Sequence, residues 1–271
     1  PKKNIKSVEN EAVSNTEPVT RKVKQISMRE HVKTRSMWAG SKNSQTIESY
    51  VLKDSADGKI FQLEELKYPP ALLKIIDEII VNAIDHYVLN PKLVTEIKIS
   101  VNDDGEISVY NNGPGIHVEI TKNLNGTEMY TPQLIFGEFM AGSNFEDSQD
   151  RIVGGQNGIG SKLTVVFSKL FTVETLDAQS KQLYKQSFRE GLTIIDPPTL
   201  EPSGTKKPYT KISFMPDYAE FKLNIKTFLP VLKKLLETRT WQAAAYTSAK
   251  VYYNETLIPI KTFENFCQMF T

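Results

Sequence analysis

The sequence holds one cysteine, Cys267, in 271 residues. A lone thiol excludes an internal disulfide framework and suits a reducing compartment. Histidine is nearly as scarce. His31, His86 and His117 are the only three and stand far apart, so no Cys/His cluster has the spacing of a structural zinc site. No apolar run approaches the ~20 residues a membrane-spanning helix needs, and no charged-apolar-small leader opens the chain. An excess of one charge is also missing: 33 Lys and Arg face 32 Asp and Glu, which gives no global pull towards nucleic acid. What remains is a globular composition, 39% hydrophobic and 24% charged. The length suits one large domain or two small ones around an ample core. Opening on Pro1 rather than Met, the chain reads as a fragment or a processed form.

Glycine is modest in number, 14 in all, but four fall at Gly154, Gly155, Gly158 and Gly160 inside the run Arg151–Leu163, RIVGGQNGIGSKL. Without a Cβ, glycine allows positive φ and lets backbone amides approach a ligand. Lys162 follows, and Leu163, Val165, Val166 and Phe167 then turn the sequence apolar, so the loop is expected to open a helix. Amides at a helix start beside a lysine make a phosphate site. Neither GxxxxGK[ST] nor GxGxxG fits the run. A flexible surface loop is the plainer alternative, and the loop alone names no family.

Residues 1–25 carry six Lys or Arg against three Glu with little to bury, and read as a flexible arm. Ser27 and Glu30 form an S-x-x-E capping box that starts a short helix to about Arg35. MWAGS (37–41) closes it, and a polar connection leads to Tyr68. Pro69–Pro70 begins the clearest helix, in which Leu72, Ile75, Ile76, Ile79, Ile80 and Ala83 recur at helical spacing until Asn90–Pro91. TEIKISV and EISVY alternate around NDDG as a hairpin. NNGPG (111–115) follows, then a helix near Gln133–Met140 and the glycine run. LFTVETL, QLYKQSF, LTIID and YTKISF read as strands, a helix covers about Phe228–Tyr246 with Pro230 near its start, and VYYNETLIPI reads as a last hairpin. Helices and largely antiparallel strands mix without a βαβ rhythm. This predicts an α+β fold, a two-layer α/β sandwich.

Glu78 and Asn82 are i and i+4 on the clearest helix and share a face that Asp85 adjoins. Alone, these three polar residues are equally a solvated stripe, and Asn111–Asn112–Gly113 is an ordinary turn. Their order gives them meaning. A helical E-x-x-x-N, then N-G-x-G, then a glycine-rich loop with lysine, then Y-T-x-I-x-F resembles the GHKL (Bergerat) ATPases. That superfamily includes gyrase-type topoisomerases, ninety-kilodalton heat-shock chaperones, mismatch-repair ATPases and histidine kinases. Within it, KIIDEIIVNAIDH, SVYNNGPGI, YTPQLIFGEFMAGSNFED, RIVGGQNGIGSKL, DPPTL and YTKISFMPDYAEF are similar to the ATPase region of eukaryotic-type type IIA DNA topoisomerases, over roughly residues 26–271. SMWAG beside the first helix is more like the enzymes of large double-stranded DNA viruses.

The resemblance implies ATP and Mg²⁺ as cofactors and a role for each matching residue. Glu78 resembles the general base that activates the water attacking the γ-phosphate. Asn82 resembles the single neutral protein ligand of Mg²⁺, and Asp85 and His86 fall beside it among the nucleotide contacts. Asn112 resembles the adenine reader, whose amide can accept from the exocyclic amine. Ser143 and Asn144 match ribose and phosphate contacts. Gln156, Asn157, Gly158, Ile159, Gly160 and Lys162 match the loop over the triphosphate, and Thr210 a threonine that holds adenine through water, with a plain strand residue as its alternative.

Three positions depart from the family pattern: Gln156 stands for a usual arginine, His86 for an asparagine common in cellular relatives, and Val23 for a tyrosine that reaches the partner subunit. The resemblance implies residues 26–260 as the ATP-binding domain and 261–271 as the start of a linker or transducer domain. A lysine from that transducer would finish the nucleotide site. The implied function is an ATP-operated clamp that homodimerises on nucleotide binding to capture double-stranded DNA, in the nucleus or at a cytoplasmic viral replication site. A chaperone or mismatch-repair ATPase is the alternative within the superfamily. A nucleotide-dependent dimerisation module without turnover is the alternative of a different functional class.

Overall fold

Alternation of apolar and polar residues builds the main layer, a twisted sheet with one wet and one dry face. A computed structural model describes residues 23–56, 58–141, 158–204, 206–260 and 262–270. The chain opens with α1 (Met28–Thr34) and α2 (Ser36–Ala39), then a long antiparallel hairpin, β1 (Gln45–Ser55) and β2 (Gly58–Tyr68). Helix α3 (Pro70–Leu89) leads to the hairpin β3 (Glu96–Val101) and β4 (Ile107–Asn112), a small ribbon β5 (Ile120–Lys122) and β6 (Glu128–Tyr130), and α4 (Thr131–Gly137). After α5 (Gly160–Val166) come β7 (Ser168–Leu176), β8 (Gln182–Arg189), β9 (Ile194–Ile195), β10 (Thr199–Pro202) and β11 (Tyr209–Pro216). The described chain ends with α6 (Ile225–Tyr246), β12 (Lys250–Tyr253), β13 (Thr256–Leu257) and α7 (Phe263–Cys267). The sheet order is β10-β8-β7-β11-β4-β3-β12-β13, with β9 beside β8. Among the described strand pairs of this sheet, β12 against β3 alone is parallel.

The dry face carries Ile97, Ile99, Ile107, Val109, Phe171, Val173, Tyr184, Phe188, Ile212 and Phe214, all buried. Against it lies the apolar stripe of α3, made of Ala71, Leu72, Ile75, Ile76, Ile79, Ile80 and Ala83. Helices α5 and α6 pack beside it, so the expected α+β two-layer sandwich is the fold. Proline at the first position of α3 has no amide to satisfy, and the helix stops where the Asn90 amide bonds back to the His86 and Tyr87 carbonyls. Arg239 Nε on α6 reaches Asp77 Oδ1 on α3 at 2.6 Å. Burial raises the Asp77 carboxyl against the pull of that guanidinium.

Several boundaries differ from the sequence expectation. Half of the Ser27 capping box forms: Ser27 Oγ accepts from the Glu30 amide at 3.2 Å, while the Glu30 carboxylate pairs with Lys24. MWAGS does not simply close α1, because a second short helix intervenes before Gly40 turns with φ +96°. The polar connection to Tyr68 is the β1–β2 hairpin. Its strands bury little besides Val51, Phe61, Leu66 and Tyr68, so their pattern is mostly polar. Helix α6 starts three residues earlier than Phe228, where the Asn224 side chain caps the Lys226 amide at 3.1 Å. Residues 262–270 return to β2: the Phe61 amide donates to Met269 O at 2.8 Å, and Phe266 and Phe270 pack on the Phe61 ring.

Candidate nucleotide site

Residues 78, 82 and 86 repeat every four positions along α3, and the structure sets this polar stripe between two backbone features. At one end Glu78 meets the start of α5. A Cβ built on Gly160 would stand 1.8 Å from Glu78 Oε2, so no larger residue fits there while the carboxylate keeps its place. The other oxygen, Oε1, pairs with Lys74 one turn earlier on the same helix. Asn82 is exposed, and Asp85 is half-buried and already engaged.

At the other end His86 meets the last residues of β4. His86 Nδ1 lies 2.7 Å from Asn111 Nδ2, and that amide nitrogen of Asn111 donates to the Asn112 carbonyl at 2.9 Å. Burial lowers the His86 pKa, which keeps the ring neutral at pH 7. The ring also abuts Gly113, where φ is +124° and a Cβ would lie 3.3 Å from His86 Cε1.

Asn112 itself does not join this cluster. Its Oδ1 accepts from the Thr95 and Glu96 amides at 2.8 and 2.9 Å, and its Nδ2 donates to Thr95 Oγ1 at 2.8 Å. With Tyr110, Lys207 and Lys250 it lines a cleft of about 600 Å³ on the outer side of the sheet. The reason is strand parity: Ile107, Val109 and Asn111 point to the helices, so Asn112 points away. The amide near His86 belongs to Asn111, only 5% exposed. The structure thus brings Asn111, and not Asn112, to the His86 end of the stripe.

Thr210 is buried on β11, directly opposite Asn111 across the ladder. Its hydroxyl is 3.1 Å from that of Thr175, its partner on β7. Thr175 Oγ1 also accepts from the Ile116 amide at 2.8 Å, tying the NNGPG turn to the sheet. Asp177 extends the tie. Burial works to raise its carboxyl, but the amides of Val118, Gln179 and Ser180 outweigh that and hold it well below the usual range. His117 Nδ1 lies 2.8 Å from the same carboxylate, and that bond raises the His117 pKa. The sequence reading missed Thr175, Asp177, Lys74 and Asn111. Of these, Asn111 was findable from the I-x-V-x-N alternation.

Gly158 has φ +56°, and Ile159 is buried beneath the start of α5. Lys162 points inward, 1% exposed, and its ammonium donates to the Ala141 carbonyl. Burial lowers it to about 8. Ser143, Asn144, Gln156 and Asn157 lie outside the described residues.

A long helix carrying Glu78 and Asn82, crossing a sheet whose strand ends in Asn-Asn-Gly-x-Gly, defines a class. Residues 67–197 match the family described as histidine kinase-, DNA gyrase B-, and HSP90-like ATPase. Within it, the chain is similar to the ATPase region of type II topoisomerases. It is 35% identical over 255 residues to DNA topoisomerase 2 of Penicillium chrysogenum, covering 93% of this chain and 16% of that enzyme. It is 35% identical over 263 residues to DNA topoisomerase 2 of Acanthamoeba polyphaga mimivirus, covering 94% of this chain and 20% of that one. The crystal structure of the ATPase region of Saccharomyces cerevisiae topoisomerase II superposes with a TM-score of 0.83 at 29% identity, over 91% of this chain and 64% of that one. The chain thus spans about a fifth or less of the length of these two curated relatives.

Proposed function

We propose that the domain binds Mg²⁺-ATP along α3, with the triphosphate at the Glu78 end and adenine at the His86 end. One observation carries this reading: a single polar stripe, Glu78–Asn82–His86, joins the tight Gly160 contact to the Asn111 amide. Eight residues of helix separate its ends by about 12 Å, a span that a nucleoside triphosphate bridges from γ-phosphate to base.

Each group has a task its chemistry suits. Glu78 is the general base, which orients the attacking water and accepts its proton late in a loose transition state. Asn111, rather than Asn112, is the adenine contact, because both Asn112 amide groups are occupied by Thr95 and Glu96. Thr210 and Thr175 lie beside it and hold the base directly or through water. Among the described residues no three His, Cys, Asp or Glu side chains converge as a metal cage. Asn82 offers one neutral oxygen, a donor set that suits an ion whose other ligands are phosphates and water. When bound, Mg²⁺ neutralises phosphate charge. Lys162 would turn from Ala141 O to the triphosphate, with Gly158 and Ile159 leading into α5 beside it. Ser143, Asn144, Gln156 and Asn157 belong to the same loop system by resemblance.

In the whole enzyme this domain would act as an ATP-operated clamp. It would homodimerise when nucleotide binds and capture a DNA duplex for strand passage, in the nucleus or at a cytoplasmic viral replication site. Among the described residues no helix is long and apolar enough to cross a membrane.

Calorimetric titration of ATP with Asn111→Ala and Asn112→Ala tests the site. Loss of affinity in the first, with the second near wild type once its stability is checked, is the expected result. The reverse pattern would return the base contact to Asn112 and the outer face.

A further inference from the structure

The amide of Asn111 has three hydrogen-bonding groups, and the fold has already used two of them. Building on the reading of Asn111 as the purine contact, we propose that His86 is a specificity-determining residue. Its imidazole takes the second amide hydrogen, so Asn111 keeps only an acceptor to offer and the site takes adenine in preference to guanine.

The assignment of atoms follows from what each partner can do. A primary amide has two N–H donors on one atom and an acceptor on the other. The Asn112 carbonyl, 2.9 Å away, can only accept, so the atom facing it is the NH₂ nitrogen. His86 Nδ1 lies 2.7 Å from that same nitrogen and must therefore accept as well. This fixes the ring as the neutral tautomer with its hydrogen on Nε2. The buried setting that disfavours the charged imidazole supports that form. The ring is wedged between the last turn of α3, where Asn90 Nδ2 donates to the His86 carbonyl at 3.3 Å, and Gly113, which has no room for a side chain.

With both hydrogens spent, Asn111 Oδ1 is the group left for a ligand. Adenine presents an exocyclic amine, a donor, and guanine presents a keto oxygen in the same place. Two acceptors facing each other away from water leave both unpaired, which disfavours guanine by on the order of tenfold or more. Were His86 unable to accept, one N–H of Asn111 would become available to the guanine oxygen. The discrimination therefore resides in the pair, and His86 acts through Asn111 as a positioning residue.

The test measures ATP and GTP affinities on the 271-residue chain, as a ratio within each preparation so that any inactive fraction cancels. The variants are His86→Asn, which keeps an acceptor at the position, His86→Leu, which removes it, and Asn111→Ala. Wild type is expected to prefer ATP by about tenfold or more, His86→Asn to retain most of that preference, and His86→Leu to lose most of it through relative gain of GTP. An unchanged ratio in His86→Leu overturns the role of His86. If the ratio instead survives Asn111→Ala, the purine contact itself is misassigned. Should His86→Leu fail to fold, nitrogen NMR of wild type decides: a hydrogen on Nε2 agrees with the proposal, and a hydrogen on Nδ1 contradicts it.

Discussion

Gly160 and Glu78 occupy neighbouring elements so closely that a methyl group on the glycine would collide with Glu78 Oε2 at 1.8 Å. The atom in the way is the far end of a flexible side chain. The φ of Gly160 is not among the positive values of the chain, so alanine meets no backbone strain there. Gly160→Ala is therefore expected to change thermal stability by less than ~1 kcal/mol while swinging the carboxylate out of place. Calorimetric melting and single-turnover ATP hydrolysis separate the two effects. Turnover should fall at least ~10-fold, as expected when a general base is displaced. A large drop in melting temperature with turnover intact would make the contact purely structural.

Lys162 is buried with its ammonium lowered to about 8 from an ordinary value near 10.5. The sign is that of a destabilising charge. Above about 10.5 the lysine is neutral folded or unfolded and contributes nothing, and as pH falls towards 8 the folded state bears a growing cost, complete below 8. Lys162→Met should stabilise the chain at pH 7 by about 1–3 kcal/mol, and the gap should close as pH rises past 8. Urea melts at pH 7 and 10 measure this. The same variant should bind ATP more weakly but adenosine nearly as well as wild type. Equal losses for both ligands would show that Lys162 has no phosphate to meet.

Asp177 accepts three backbone amides and faces His117, and so anchors the turn that follows Asn111. Asp177→Ala strands the buried Val118 amide and loosens the part-buried Gln179 and Ser180 amides, at about 2–4 kcal/mol. Chemical denaturation should show that loss, and nucleotide affinity should fall with it because Ile116 and Val118 set the path of the turn. Stability within ~0.5 kcal/mol of wild type would be at odds with the anchoring role.

The sequence exposes these features unevenly, for physical reasons. Helix α3 was legible because an apolar stripe every three to four residues and a Pro-Pro start leave little else for that stretch to do. The β3–β4 hairpin was legible for the same kind of reason, through strict alternation around an Asp-Asp-Gly turn. The β1–β2 hairpin was hidden because only Val51, Phe61, Leu66 and Tyr68 of its 22 paired residues are buried, so most of it reads as polar connection. Asn111 and Asn112 show the limit most clearly. Two adjacent identical residues on a strand face opposite ways, and a motif match does not say which of them faces the helices. The parity of Ile107 and Val109 does say it. Lys74 and Thr175 left no signal, since an i−4 lysine on a helix and a threonine in a strand are ordinary until their partners are placed.

The most direct test of the account is hydrolysis of bound ATP by the whole enzyme and by its Glu78→Gln variant under single-turnover conditions, with nucleotide affinity measured alongside. Glutamine is nearly isosteric and can still hydrogen-bond the water, but it cannot take the proton. The account predicts affinity within about threefold of wild type and a rate lower by ~100–10,000-fold. Hydrolysis by Glu78→Gln at the wild-type rate would contradict it and remove Glu78, and with it the catalytic end of the α3 stripe, from the chemistry.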